Sequence, residues 1–267
     1  MGVSSKTNPG NQHLDDLPFV APYKKLATGA AFVWLQKGYE DFMIAPLQSA
    51  TYGFIISLFV YVLAYMAYVY GSLPFVLLLG AGVMFLGPVL AFGIYSISRQ
   101  INMGLEPQLG YCLRDGKRHL GNELVFAIIL LVVFLIWARA ASIIHVFFPT
   151  EAGASIADYA LFFGVGSVVG SLFLALTFMI SAFSLPMFMD KKVDVITAVL
   201  TSINAVLHNK KALLVWALLI FISLLVSAAT FLLGLVVILP MLGHATWHAY
   251  KGTIDSSAWP EHEASDS

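Results

Sequence analysis

The sequence predicts an all-α polytopic membrane protein, six transmembrane helices in three hairpins, with amphipathic helices lying in the cytoplasmic interface. Three observations predict it. The chain is 59% apolar and 11% charged, with a mean hydropathy of +0.85, against roughly 45–50% and 25% in soluble domains. Thirteen of its fourteen Lys and Arg residues fall in four polar segments: Lys6, Lys24, Lys25 and Lys37; Arg99, Arg114, Lys117 and Arg118; Lys191, Lys192, Lys210 and Lys211; and Lys251. The apolar runs between those segments are long enough to cross a bilayer, and Arg139 is the one basic residue on the other side. This is the positive-inside asymmetry of a membrane protein with both termini in the cytoplasm.

The elements follow in order. Residues 1–22 are polar and read as a disordered cytoplasmic tail, ahead of a membrane domain over 23–252. In 31–46, Phe32, Leu35, Tyr39, Phe42 and Met43 share one helical face, opposite Gln36, Lys37, Glu40 and Asp41, as in an interfacial helix. From Phe42 to Ser98, 57 residues carry no charge. One span takes about 20, so this run holds two, near 48–70 and 74–97, split at Gly71-Ser72-Leu73-Pro74. A middle amphipathic segment, 103–120, is interrupted by Gly104, Pro107, Gly110 and Gly116.

The third span runs near 123–147 and ends before Pro149. At about 1.5 Å per residue, Arg139 stands roughly 24 Å from Glu123, close to the outer edge of a core about 30 Å thick, where a long side chain can snorkel. The fourth span is near 159–188. In 193–209, Ile196, Val199, Leu200, Ile203, Val206 and Leu207 share a face opposite Thr197, Thr201, Asn204 and His208. The 39 uncharged residues from Ala212 to Tyr250 divide at Gly234 into spans near 212–232 and 235–250. Residues 253–267 read as a second disordered tail. On this scheme the connections at Gly71, Gly153 and Gly234 are external.

The three hairpins look like versions of one unit. The even-numbered spans carry Pro88, Pro186 and Pro240 ahead of a basic residue, and the spacing from Pro88 to Arg99 equals that from Pro240 to Lys251. Tyr95 and Trp247 occupy equivalent places.

Few residues carry chemistry. His244 and His248 stand four apart on one helical face beside Trp247, a spacing at which imidazoles share a metal or serve haem. The other reading is an interfacial aromatic–imidazole cluster with Trp247 and Tyr250 as belt residues. Ala245 stands where a zincin motif needs Glu, and no cofactor or metal is expected. Arg139 faces two outer-loop acids, Glu151 and Asp158, and a structural ion pair or a headgroup contact accounts for it. Gly164-x-Gly166-x-x-x-Gly170 lies inside a span and reads as a small-residue packing face. Cys112 alone cannot form an internal disulfide, and the first 46 residues contain no signal-peptide core. Nothing resembles a basic nucleic-acid-binding domain. No helix interior carries the Asp, Glu or Lys of an ion-coupled carrier.

The stretch Asp194-Val195-Ile196 through Ser202-Ile203-Asn204-Ala205-Val206 to Asn209, then Trp216, then Leu239-Pro240-Met241-Leu242-Gly243-His244-Ala245-Thr246-Trp247-His248-Ala249-Tyr250, resembles a family of predicted bacterial integral membrane proteins of unknown function. The likeness extends over roughly residues 20 to 252. It implies a bacterial inner membrane and supplies no activity or catalytic residue.

With no catalytic set in view, the expected role is non-enzymatic: an accessory subunit, assembly factor or scaffold that associates with another inner-membrane complex within the lipid bilayer. Phe54, Phe59, Tyr61, Tyr65 and Tyr68 on the first span point that way, being more aromatic residues than an interfacial belt requires. The alternatives are a carrier of an uncharged or lipidic substrate, bent at its three prolines, and a haem- or metal-binding protein using His244 and His248.

Overall fold

A computed structural model describes residues 18–148 and 155–262, with the backbone alone at 73, 74 and 111–120. Its ten helices, counted among the described residues, are α1 (Ala30–Ile44), α2 (Pro46–Tyr70), α3 (Leu73–Leu90), α4 (Phe92–Asn102), α5 (Leu109–Phe147), α6 (Ile156–Ser181), α7 (Ser184–Asp190), α8 (Val195–His208), α9 (Lys210–Ala229) and α10 (Leu235–Thr253). Five helical stretches are long and apolar enough to cross a membrane: Pro46–Tyr70, Phe75–Asn102, Gly121–Phe147, Ile156–Asp190 and Lys210–Ala229. The sixth expected span, α10, is helical as well. It stays outside that set because its second half carries His244, Thr246, His248 and Lys251.

Local chemistry sets the boundaries. Pro46 opens α2, where a missing N–H costs nothing, and Gly71 closes it in the left-handed region at φ 38°. Ser155 and Asp158 form a reciprocal capping box on α6, and Asp194 caps α8 by accepting from the Thr197 amide at 3.0 Å. Pro88 cannot donate to the preceding turn, and the helix breaks three residues later, at Ala91. Pro186 lies in the short α7, after a break at 182–183, whereas Pro240 sits inside an unbroken α10. The three prolines are therefore not equivalent bends. The middle segment is not interrupted at Gly110 or Gly116, because α5 runs unbroken from Leu109. At 39 residues it is about 58 Å long, so its first dozen residues extend past the bilayer core.

The core sits at one end, the end that carries the basic residues. Its largest fully buried side chains include Trp216, Trp247, Tyr250, Phe126, Phe183 and Met187. The far halves of the spans expose their apolar residues, as lipid-facing helices do. α10 is the hub: α1 and α2 pack along it, and α4, α7 and α9 touch it. Close approach explains why. A Cβ on Gly38 of α1 would lie 2.6 Å from the Met241 carbonyl and 2.7 Å from the Ala245 amide. One on Gly243 would lie 2.7 Å from the Ile94 side chain of α4. Gly53 likewise admits the Val236 carbonyl and the Pro240 ring. The expected packing face is open at Gly164 and Gly166, with nothing within 4 Å of either, whereas a Cβ on Gly170 would lie 3.8 Å from Trp137 Nε1.

Two features go beyond the sequence reading. The interfacial helices turn mainly small-residue faces inward: α1 buries Ala31, Trp34, Gly38 and Asp41 while Gln36, Lys37 and Glu40 stay exposed, and α8 buries Thr197, Ala198, Thr201, Ser202 and Ala205 together with Val195 and Val206. Their large apolar residues, Phe32, Tyr39 and Met43 on α1 and Ile196, Leu200 and Leu207 on α8, are exposed. Amphipathic periodicity identifies a face but not its neighbour. Where the outer solvent is hydrocarbon, small residues allow close helix contact and large apolar ones go to lipid.

The flanking segments also pack. Ala21 donates its amide to Thr201 Oγ1 at 3.0 Å, and Leu26 donates to Asn209 at 2.9 Å. Residues 254–262 form a strap in which Ile254 bridges to Tyr23 and Glu261 to Lys191. The indole of Trp259 is 3% exposed and anchors that strap, so residues 18–22 and 253–262 are not free tails. The rest of each tail, 1–17 and 263–267, lies outside the described residues.

Candidate functional site

The polar groups converge where α1, α2, α4 and α10 cross at the basic end. His244 is wholly buried and uses both ring nitrogens: Ser49 Oγ of α2 lies 2.9 Å from Nε2, and Ser98 Oγ of α4 lies 2.6 Å from Nδ1. A neutral imidazole has one donor and one acceptor, so one serine receives a hydrogen bond from the ring and the other donates to it. One turn later His248 Nε2 lies 2.9 Å from Asp41 Oδ2 of α1, and the same oxygen is 3.9 Å from His244 Nδ1. The pair expected at positions 244 and 248 is thus joined by a carboxylate that the sequence placed on a solvated face. Asp41 is 5% exposed. Asp41 belongs to α1, ahead of the first span, and the inward turn of the small face of that helix is what buries it.

Ser49, His244 and Asp41 have the residue types of a hydrolytic triad but not its geometry. The position a triad acid would take at Nδ1 is held by Ser98, and both serines are 0% exposed. Among the described residues, no group of three His, Cys, Asp or Glu side chains is arranged to hold a metal ion. Trp247, on the same helix, is buried against Tyr250 at a ring separation of 5.8 Å, inside the core and away from an interfacial belt.

A second polar group closes the basic end. Asp190, at the end of α7, accepts from the Tyr250 hydroxyl at 2.7 Å and from Lys251 Nζ at 3.1 Å, with Ser256 Oγ 3.4 Å away. Lys191, one of the basic residues of the third polar segment, is buried and pairs with Glu261 at 2.9 Å. That lysine, donating a hydrogen bond and lying alongside as a cation, holds the Glu261 carboxyl below its usual range. His262 lies 2.9 Å from the Phe188 carbonyl.

The outer residues stay apart. Arg139 is exposed. Asp158 is occupied by Ser155, accepting from its amide at 2.8 Å and its hydroxyl at 2.7 Å, and among the described residues no ion pair joins it to Arg139. Glu151 lies outside them. On α2, Phe54, Phe59, Tyr65 and Tyr68 are exposed, while the Tyr61 hydroxyl donates to the Phe231 carbonyl. Sequence reading missed Asp41, Ser49, Ser98 and Asp190. One signal for Asp41 was available: the run Ala31, Trp34, Gly38, Asp41, Ala45 repeats at helical spacing and is mostly small.

Residues 75–190 match the family described as "Predicted integral membrane protein (DUF2189)", a family of unknown function. The match covers less than half of the chain and ends before Asp194, so the Pro-x-x-Gly-His-Ala-Thr-Trp-His-Ala-Tyr segment lies beyond it. No curated protein and no solved structure matches the chain.

Proposed function

We propose that this integral membrane protein is a non-enzymatic component of the bacterial inner membrane, an accessory subunit, assembly factor or scaffold, with both termini in the cytoplasm. One observation carries the reading. The groups capable of chemistry at the crossing point are bonded to one another: both nitrogens of His244 by Ser49 and Ser98, and Asp41 by His248. They fasten three helices to α10 through these bonds. What remains available to other molecules is the outer surface of the spans, where α2 exposes Phe54, Phe59, Tyr65 and Tyr68.

Purification through an affinity tag in mild detergent, with mass spectrometry and quantitation of co-purifying chains, tests the proposal. A membrane partner at fixed stoichiometry, crosslinked by a photoreactive residue at position 65, is the expected result. Recovery as a lone species that transports a solute after reconstitution overturns it. That outcome favours the carrier reading, to which Asp41, a buried carboxylate beside two imidazoles, lends support.

A further inference from the structure

We infer that the turn between α9 and α10 is embedded in the hydrocarbon of the far leaflet, so that the third hairpin meets acyl chains where the other hairpins meet water. Four features carry this.

The turn, Thr230-Phe231-Leu232-Leu233-Gly234, has no ionisable residue. It is also outward-facing, with Phe231 82% and Leu233 66% exposed. In water two such side chains would be an unexplained apolar tip, whereas in a bilayer they continue the lipid-facing surface of α9.

Its backbone is satisfied without water. The amides of Thr230, Phe231, Leu232 and Leu233 donate to the carbonyls of Val226, Ala228, Ser227 and Thr230. The Gly234 amide donates to Thr230 Oγ1 at 3.0 Å. Among the carbonyls, Thr230 accepts from Leu233, Leu232 from Leu235, Leu233 from Val236 and Gly234 from Val237 and Ile238. The remaining one, Phe231, accepts from Tyr61. An external loop leaves such groups to solvent, while hydrocarbon penalises each unpaired one by several kcal/mol.

This closure is reached through strain. Phe231 and Leu232 take left-handed φ values of 52° and 66°, where an ordinary water-facing turn carries Gly or Asn. Large apolar residues hold those positions despite the steric penalty, as expected where the surroundings are lipid.

Depth agrees. From Lys251 up to Gly234 is 17 residues, about 26 Å of helix, short of a core about 30 Å thick. The Tyr61 hydroxyl meets the turn while nine residues of α2 are still to come, about 13 Å more. The turn therefore lies about 4–13 Å beneath the far boundary. Such a turn keeps both termini on one side and leaves no external segment in the third hairpin.

Site-directed spin labelling of the full chain tests this. Phe231→Cys, Leu233→Cys and, as control, Ser72→Cys are made with Cys112 replaced by Ser. Each is labelled in detergent and reconstituted in phosphatidylethanolamine–phosphatidylglycerol vesicles. The expected result at 231 and 233 is relaxation by dissolved oxygen and loss of relaxation by a water-soluble nickel chelate, with the opposite at 72. Equal chelate accessibility at 231, 233 and 72 overturns the inference. Because substitution at 231 alters the turn, Leu233→Cys serves as the second reporter: chelate access at 233 alone is sufficient to reject it.

Discussion

Substituting alanine at Gly38 tests the proposition that close helix contact, more than side-chain chemistry, holds α1 on the hub. The new methyl would stand 2.6 Å from the Met241 carbonyl, 2.7 Å from the Ala245 amide and 2.8 Å from the Ala245 Cβ. Ordinary contact begins near 3.4 Å, so the two helix axes must part by several tenths of an ångström. Two of the three obstacles are backbone and cannot rotate away. Overpacking of this kind costs about 1–3 kcal/mol. The gain in helix propensity returns about 0.5–1 kcal/mol. With two backbone obstacles the overpacking cost falls in the upper part of its range, about 2–3 kcal/mol. The net is a destabilisation of about 1–2.5 kcal/mol, or a melting temperature lower by about 2–10 °C at 2–4 °C per kcal/mol. Intrinsic fluorescence during a thermal scan in detergent reads it, because Trp34 of α1 contacts Trp216 edge-on at 5.9 Å. Gly164→Ala is the matched control, with nothing within 4 Å to meet, and only the propensity gain remains. If Gly38→Ala melts at or above the parent, or Gly164→Ala falls as far as Gly38→Ala, the packing argument fails.

Asp41→Ala removes the acceptor of His248 and one tie between α1 and α10; a loss of about 1–3 kcal/mol is expected in the same scan, and an unchanged melting point would show the contact to be idle. The strap should be acid-labile. Glu261 has a folded pKa below its ordinary 4.5 because of Lys191, so its contribution is present above that value and is lost as pH falls through the lower one. Emission from Trp259, buried under the strap, should shift red in that range, and a Glu261→Gln chain should lack that step while keeping any due to other carboxylates. An optical spectrum of the purified protein should lack a Soret band, since both nitrogens of His244 are engaged; a band abolished by His244→Ala would contradict the site geometry.

Much of the architecture was readable from charge and run length alone, because the bilayer's thickness imposes both. The charge-free run from Phe42 to Ser98 and the break at Gly71 lead directly to α2 and α3. The orientation of α1 and α8 was not readable in that way. Periodicity gave Phe32, Tyr39 and Met43 a common face, but a core and a lipid surface attract the same residues. The candidate site was half legible for the same reason. His244 and His248 stand out by spacing, while Asp41 is hidden by belonging to a helix whose inward side is mainly of small residues. The strap was obscured by composition: Ser256, Ser257, Glu261 and His262 look solvated, and Trp259 alone hints at burial.

The seam between the two flanking segments has a consequence for how the protein is made. Lys24 donates its amide to the Thr253 carbonyl and Asp255 to that of Pro22, both at 2.8 Å. Residues some 230 positions apart in synthesis are thereby neighbours. The polypeptide around Ala21 emerges from the ribosome early and waits unpartnered until Thr201, and then Thr253, have been translated. Such distant pairings raise contact order and slow assembly. In the interval the buried faces of α1, with Trp34 and Asp41, lack α10. A ribosome stalled before α10 should accordingly hold a chain that is inserted yet protease-sensitive near residue 25, and release of the complete chain should end that sensitivity.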